Sequence, residues 1–69
     1  TLKRFGSSLA IARHGAGLTQ EELATKSGLH RTYIGAVERG ERNPTLLSVL
    51  KITKALGINA GSLIDDDTT

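Results

Sequence analysis

Apolar residues recur at steps of three and four along most of this chain, which is the spacing of amphipathic α-helices. Near the N-terminus one such stripe has four members: Leu2, Phe5, Leu9 and Ala12. The stripe predicts a first helix over residues 2–16, which Gly17 would end. Gly6 and Gly15 weaken this helix, each by about 1 kcal/mol relative to alanine.

The stretch of residues 20–39 has the pattern of two short helices that flank a break at Gly28. Ala24 is small enough for two helices to cross closely, and Gly28 tolerates the positive φ that a tight turn requires. In the second helix Ile34 and Val37 lie three residues apart and face inward, which leaves the polar N-terminal end outside. This arrangement is typical of a helix-turn-helix motif.

A further helix follows Pro44, since proline disfavours helical geometry at the residue before it. We expect this fourth helix to begin at Thr45 and to end at Leu56, ahead of Gly57. Its expected inward residues are Leu46, Val49, Leu50, Thr53 and Leu56, with Ile52 partly covered. Leu47 is expected to face outward.

The last helical pattern is short, with Leu63 and Ile64 as its apolar residues, and residues 65–69 form a polar tail that is expected to fray. A chain of 69 residues makes one domain. It contains one Phe, one Tyr and no Trp, so its core must be aliphatic. We therefore expect an all-α fold in which five helices surround one small core, with residues 1–64 as the domain.

Composition excludes several classes of protein. Cysteine is absent, which rules out disulfides and thiolate metal sites and fits a reducing cytoplasm. No apolar run approaches the roughly 20 residues of a membrane span, and no signal peptide is visible. The first residue is Thr1 rather than Met, which indicates a trimmed chain or a fragment of a longer protein.

The sequence offers no group of residues with catalytic or metal-binding spacing. His14 and His30 lack the spacing of metal ligands. Glu21 and Glu22 are adjacent because they favour the start of a helix, and the glycines form no phosphate-binding loop. We therefore expect no enzyme activity, no metal and no cofactor. No pocket for a small-molecule effector is evident, and so small a core argues against one.

Charge is unevenly placed along the chain. The formal net charge is +2, from nine basic and seven acidic residues, and three of the acids are consecutive at positions 65–67. The rest of the chain is therefore more basic than the total indicates. A basic surplus suits a polyanionic partner, although an ordinary solvated surface accounts for it equally well.

The helix-turn-helix pattern resembles that of the lambda-repressor and Cro type regulators, the XRE family. The matching residues are Gln20, Ala24, Gly28, Ile34 and Val37, with LTQEELA before the turn and ERG after it. The resemblance runs from about residue 5 to residue 64. It implies a transcription regulator of the cytoplasm and nucleoid that binds specific double-stranded DNA, with residues 30–39 as recognition helix in the major groove. It also implies a homodimer on a palindromic operator.

Four residues match the positions that face DNA bases in the family: Arg31, Thr32, Gly35 and Ala36. A guanidinium at Arg31 can donate two hydrogen bonds to guanine, worth about 1–3 kcal/mol of discrimination. Thr32 suits a base, a phosphate or a thymine methyl group. Gly35 and Ala36 would allow close approach to a groove about 12 Å wide. The alternative for Gly35 is a tolerated weak point in the helix.

Seven further residues are expected to contact the DNA backbone: Gln20, His30, Tyr33, Arg39, Arg42, Asn43 and Thr45. In the family, the residue that matches Gln20 contacts a phosphate and braces the next helix. For His30 the alternative is a helix cap, and for Tyr33 it is packing against the fourth helix. For Arg39 and Arg42 the alternative is a solvated surface.

Two more assignments follow from the resemblance. Arg13 and Glu38 match a partly buried ion pair that links the first helix to the third, so we expect them to be structural. Leu47, Leu63 and Ile64 are the candidate dimer residues. For Leu63, a place in the core of its own chain is the preferred alternative.

The segment Arg31–Ile34, with Glu38-Arg39 and Arg42-Asn43 after it, is also similar to the short controller proteins of restriction–modification systems. A stand-alone repressor, an antitoxin and the DNA-binding domain of a longer regulator remain alternatives. From another functional class, the alternative is a protein-interaction module on a helix-turn-helix scaffold. The arginines around the expected DNA face argue against that module.

Overall fold

The computed structural model describes residues 1–59 and 61–64, with the backbone alone for residues 62 and 64. Within this part of the chain every regular element is a helix: α1 Leu2–Gly15, α2 Gln20–Ser27, α3 Arg31–Glu38, α4 Leu46–Leu56 and α5 Gly61–Ile64. The expected all-α fold is confirmed. Four of these helices have eight residues or more, whereas the expected fifth helix is one turn of four residues. The tail at 65–69 lies outside the described residues.

Local sequence signals set the helix ends. Thr19 and Glu22 form a capping box at α2, in which Thr19 Oγ1 accepts from the Glu22 N–H at 3.0 Å and the Thr19 N–H donates to Glu22 Oε1 at 2.8 Å. That backbone hydrogen bond is the main reason why the pKa of the Glu22 carboxyl is lowered. Gly28 and Gly57 end α2 and α4 with φ of 72° and 73°, in the left-handed conformation that glycine permits.

The core is aliphatic and α3 lies at its centre. The cluster of buried residues has six members: Leu9, Leu23, Ala24, Ile34, Val37 and Ile52. The two aromatic residues, Phe5 and Tyr33, are only partly buried and pack against its edge. Because α3 contacts both α1 and α2, its inward face is fixed from two sides and its outward face is fixed as a result.

The fourth helix turns a different face inward from the one the sequence indicated. Val49, Ile52 and Thr53 are its buried residues. Leu46 and Leu50, both expected inside, are exposed, so that expectation is wrong. Most residues of α4 are apolar, and two overlapping stripes therefore fit helical spacing. Packing against α2 selects the stripe centred on Ile52.

The first helix meets α3 at Gly6. A Cβ atom at Gly6 would collide with the backbone carbonyl oxygens of Val37 and Glu38, so only glycine lets the two helices approach this closely. The buried line of α1 continues to Arg13. Leu2, expected on the inward stripe, is instead exposed. The glycine that lowers helix propensity is thus the residue that positions α3.

Candidate nucleic-acid interface

The turn between α2 and α3 determines how α3 is presented to solvent. After Gly28 the Leu29 N–H donates back to the Ala24 carbonyl at 3.0 Å, while the Leu29 side chain packs against the core. The chain then enters α3 at Arg31. Since the inward face of α3 is occupied by the core, the first residues of this helix, Arg31 and Thr32, are left exposed.

His30 caps the third helix through its imidazole ring. Nδ1 accepts a hydrogen bond from the Thr32 N–H at 3.4 Å and lies 2.6 Å from Thr32 Oγ1. An accepting Nδ1 carries no proton, so the neutral ring has its proton on Nε2. Of the two expected roles of His30, the structure therefore shows the cap. The Nε2–H remains the donor of the ring.

The four positions expected to face DNA bases differ in exposure: Arg31 and Thr32 are exposed, Ala36 is half-buried and Gly35 is buried. Gly35 is buried because two long side chains lie over it, and its expected base contact stays a prediction. A Cβ atom at Gly35 would lie 3.0 Å from Arg39 Nη1 and 3.3 Å from Gln20 Oε1. The polar groups presented above this part of α3 are therefore those of Gln20 and Arg39.

Arg13 and Glu38 form a bidentate ion pair between α1 and the end of α3. Arg13 Nε donates to Glu38 Oε2 at 2.7 Å and Nη2 donates to Oε1 at 3.1 Å, and the two side chains are only 9% and 7% exposed. Nη1 donates to the Leu18 carbonyl at 2.9 Å. The hydrogen bond to Glu38 raises the pKa of the Arg13 guanidinium, which outweighs the opposing effect of desolvation. The side chains of Arg13 and Glu38 are therefore engaged in contacts within the domain.

Gln20 joins this ion pair from the first residue of α2. Its Nε2 donates to Glu38 Oε1 at 2.9 Å. Since a carboxylate only accepts hydrogen bonds, the amide is oriented with Nε2 toward Glu38 and Oε1 away from it. One carboxylate thus connects α1, α2 and α3. Gln20 thus connects α2 to the end of α3, as the resemblance implied. The Oε1 side of its amide lies beside Gly35.

An open concavity of about 560 Å³ lies between the starts of α2 and α3. Its lining residues are Arg13, Thr19, Gln20, Glu21 and Arg31. Gln20 and Arg31, which the sequence analysis assigned to backbone and base contacts, are therefore neighbours across one surface depression. The N-terminus of α2 opens into it, and helix N-termini favour negatively charged groups.

The cations that follow α3 are held by neighbouring side chains. Arg39 Nε lies 3.1 Å from Glu41 Oε1, and both side chains are mostly in solvent, at 58% and 61% exposed. Glu41 was not anticipated, although an opposite charge two residues away was a signal for it. The Arg42 guanidinium lies over the Tyr33 ring, 5.4 Å from its centroid, in cation–π geometry. Arg39 and Arg42 are thus exposed to solvent, and Glu41 and the Tyr33 ring determine where their guanidinium groups lie.

The loop into the fourth helix carries two more of the expected backbone contacts. Asn43 is exposed. Thr45 caps α4, since its Oγ1 accepts from the Ser48 N–H at 3.1 Å and its hydroxyl donates to Ser48 Oγ at 3.0 Å. That hydroxyl is therefore engaged. A phosphate at this point would meet the backbone N–H groups of the first turn of α4, which have no intrahelical partner.

Tyr33 is held by packing rather than by its hydroxyl. Its ring is half-buried against the core, and its hydroxyl oxygen is buried without a hydrogen-bond partner among the described residues. The structure shows the ring of Tyr33 packed against the core, and the backbone contact expected of this residue stays a prediction. The exposed face of the ring instead supports Arg42.

Replacing Tyr33 by phenylalanine is therefore expected to raise the free energy of unfolding by about 1 kcal/mol, because a buried hydroxyl without a partner carries a desolvation cost. DNA affinity should stay unchanged, since the ring under Arg42 is retained. Urea denaturation and DNA titration measure the two quantities. Tyr33→Leu, which removes the ring, is the comparison that should weaken both. Lower stability or weaker binding of the Tyr33→Phe protein would contradict this account.

Among residues 1–59 and 61–64, no group of three or more His, Asp or Glu side chains is placed to hold a metal ion. In the same part of the chain, none of the helices combines the length and the apolar character that crossing a membrane requires.

Comparison with known proteins agrees with this geometry. The model of the helix-turn-helix family matches residues 9–63, which extend from α1 into α5. The chain therefore belongs to the helix-turn-helix family of the XRE type, a class of DNA-binding transcription regulators, and the resemblance inferred from the sequence is confirmed.

Among its relatives, the chain is similar to the control protein C.SmaI of Serratia marcescens, with 55% identity over 47 residues, which cover 68% of this chain and 56% of that protein. It is 40% identical to an HTH-type transcriptional regulator of Sinorhizobium fredii over 62 residues, or 90% of this chain and 80% of that protein. The crystal structure of the restriction–modification controller protein C.AhdI from Aeromonas hydrophila matches with a TM-score of 0.89 and 48% identity, covering 90% of this chain and 94% of that one.

Proposed function

We propose that this protein regulates transcription by binding a specific double-stranded DNA sequence, with residues 30–39 as the recognition helix in the major groove. The observation that carries the proposal is one continuous outward surface. Gln20 and Arg31 line the same concavity, and the side-chain ends of Gln20 and Arg39 both lie over Gly35. Guanidinium N–H groups, and the second Nε2–H of Gln20 beside the one bonded to Glu38, are donors that suit both phosphate oxygens and base edges. The basic surplus of the chain favours the same polyanionic partner.

Within this surface the exposed start of α3 is assigned to base reading. Arg31 is the main reader, because a guanidinium can bond two acceptors of guanine at once. Thr32 and Ala36 supply smaller contacts, the latter to a thymine methyl group. The phosphate contacts are assigned to Gln20, Arg39, Arg42, Asn43, the Nε2–H of His30 and the backbone at Thr45. These contacts set the register of the protein on DNA without reading its sequence.

Dimerisation is the second part of the proposal. One short helix reads few base pairs, whereas a two-fold symmetric dimer reads a palindrome with half-sites about one turn apart. Leu46, Leu47 and Leu50 lie on one side of α4 and are exposed, Leu47 to 62%; we call them the leucine face. Leu63 is only 2% exposed and so belongs to the core of its own chain, and the side chain of Ile64 lies outside the described residues. We place the contact between two copies at the leucine face.

The relatives favour one form of this regulation. C.SmaI is named a control protein and C.AhdI a restriction–modification controller protein. We propose that this chain has the same kind of role, as a regulator without catalytic activity that acts in the cytoplasm, on the DNA of the nucleoid. Residues 1–64 would form the DNA-binding unit.

The experiment that tests the proposal is selection from a random duplex pool, followed by titration of the recovered and of a scrambled duplex at two salt concentrations. We expect the selection to recover a palindrome. The protein should bind it at least about a thousandfold more tightly than scrambled DNA, which is the ratio typical of specific DNA-binding regulators. Sedimentation should show a dimer, and Leu47→Glu should shift it to a monomer that remains helical by circular dichroism.

Two outcomes would contradict the proposal. Equal, steeply salt-dependent binding to both duplexes would leave phosphate attraction as the only interaction. A folded protein that recovers no duplex would favour the second candidate, a protein-interaction module. The exposed leucine face is the observation that supports this candidate, because contiguous exposed apolar residues often mark protein contacts.

A further inference from the structure

Arg31, Gly35 and Arg39 lie at steps of four on one line of the third helix. Residues at this spacing are neighbours on a helix surface, and long side chains lean back toward the helix N-terminus. Arg39 therefore folds over the position of Gly35, and its Nη1 would lie 3.0 Å from a Cβ atom placed there. The guanidinium would therefore be in tight contact with the Cβ atom of any other residue at position 35.

The side chain of Gln20 reaches the same space from the second helix. Its Oε1 would lie 3.3 Å, and its Nε2 3.8 Å, from a Cβ atom at Gly35. The amide cannot simply rotate away, since Nε2 is held by Glu38 Oε1 at 2.9 Å. Arg39 is restrained less firmly, by a solvent-exposed pair in which its Nε lies 3.1 Å from Glu41 Oε1. A polar acceptor and a charged donor thus both lie over one glycine.

We propose that Gly35 is a positioning residue for DNA recognition, because the absence of its side chain lets Gln20 and Arg39 close over the recognition helix and present their polar ends together to one nucleotide. The inference rests on the proposed function and deepens it. In this proposal Gly35 acts by positioning the side chains of Gln20 and Arg39, and it does not itself contact a base. A methyl group at position 35 would displace the ends of both side chains by a few tenths of an ångström, because the atoms nearest to it, at 3.0 and 3.3 Å, belong to Arg39 and Gln20 rather than to the backbone.

Stability and DNA binding should consequently respond in opposite directions to Gly35→Ala. Alanine favours a helix over glycine, and the atoms nearest to the new Cβ are flexible side-chain ends, so the melting temperature should rise by a few degrees. Affinity for the selected duplex should fall about tenfold, the loss expected for one charge-assisted hydrogen bond. Gly15→Ala is the matched control, since it adds a methyl group to α1 with nothing within 4 Å.

A second background separates positioning from a direct clash with DNA. In the protein that already carries Gln20→Ala and Arg39→Ala, adding Gly35→Ala should change affinity less than about twofold, as expected when one change acts through the other two. A full tenfold loss in that background would mean that the new methyl group meets DNA itself, and would overturn the proposal.

A measurement without DNA keeps the inference separate from the proposed function. Gln20 is the only glutamine in the chain, so its side-chain amide resonances are identifiable by NMR. They should shift in free Gly35→Ala protein and stay in place in Gly15→Ala protein. Unshifted Gln20 resonances, or wild-type affinity of Gly35→Ala for the selected duplex, would overturn the inference alone. Failure of the wild-type protein to prefer any duplex would overturn the proposed function together with it.

Discussion

Replacing Glu38 by alanine is expected to lower the free energy of unfolding by about 3–5 kcal/mol, because the Arg13 guanidinium would remain charged and buried without its carboxylate. The change also removes the acceptor of Gln20 Nε2, so three helices lose a shared connection. In a domain of this size each kcal/mol corresponds to roughly 4–8 °C of melting temperature. Thermal and urea unfolding, followed by circular dichroism, should therefore show a large loss.

Glu41→Ala is the matched control for this prediction. Glu41 also pairs with an arginine, Arg39 at 3.1 Å, but in solvent, where such pairs contribute about 0–1 kcal/mol. If Glu38→Ala leaves little folded protein, the combined Arg13→Ala and Glu38→Ala change provides a second measurement. Removal of both charges should cost less than the sum of the single changes. Equal melting of Glu38→Ala and Glu41→Ala would refute the structural role of the Arg13–Glu38 pair.

Replacing Arg31 by alanine is expected to weaken binding to the selected duplex by about 1–3 kcal/mol, or roughly 5- to 150-fold. The loss should be concentrated at one base pair, where discrimination between bases relaxes. Stability should not change, since Arg31 is exposed at the first residue of α3 and lies outside the core. Titration against duplexes that differ at single positions measures the effect, and a thermal melt monitors the fold.

Lys51→Ala removes the same charge from an exposed position of α4 and serves as the control for Arg31→Ala. Its effect on affinity should be less than about twofold and the same on every duplex, because a distant surface charge acts only through the general attraction to phosphate. If Arg31→Ala behaves like Lys51→Ala on the selected and the scrambled duplex alike, the assignment of Arg31 to base reading is wrong.

The ends of the helices could be predicted from the sequence because they depend on neighbouring residues. The capping box of Thr19 and Glu22 uses two side chains three residues apart. Gly28 and Gly57 end their helices because the backbone at those points has positive φ, which only glycine adopts at low cost. The class of fold followed from the same local signals together with the spacing of apolar residues.

The inward face of the fourth helix could not be predicted in the same way. Leu46 and Leu50 fit the helical spacing as well as Ile52 does, and only the position of α2 decides among them. The apolar spacing correctly predicted a helix, but it did not indicate which of the two apolar stripes is buried. Leu46 and Leu50 were therefore assigned to the core although they are exposed. A helix with apolar residues on most sides needs tertiary information before its buried face can be assigned.

The candidate interface was predicted in part. The sequence located the exposed start of α3, because the inward Ile34 and Val37 define its opposite side. It did not reveal that Gly35 is covered, since the cover comes from the conformation of two long side chains, Arg39 and Gln20. The buried hydroxyl of Tyr33 was missed for a similar reason, as burial of a single atom depends on packing that no spacing encodes.

The close approach at Gly6 has a consequence for engineering. With eight residues, α3 is too short to be helical as an isolated peptide in water, and its shape therefore depends on packing against α1 and α2. A foreign scaffold that receives residues 31–38 as a graft must offer a glycine at the helix crossing and an arginine opposite Glu38. Without both, the grafted helix would keep its sequence and lose its conformation.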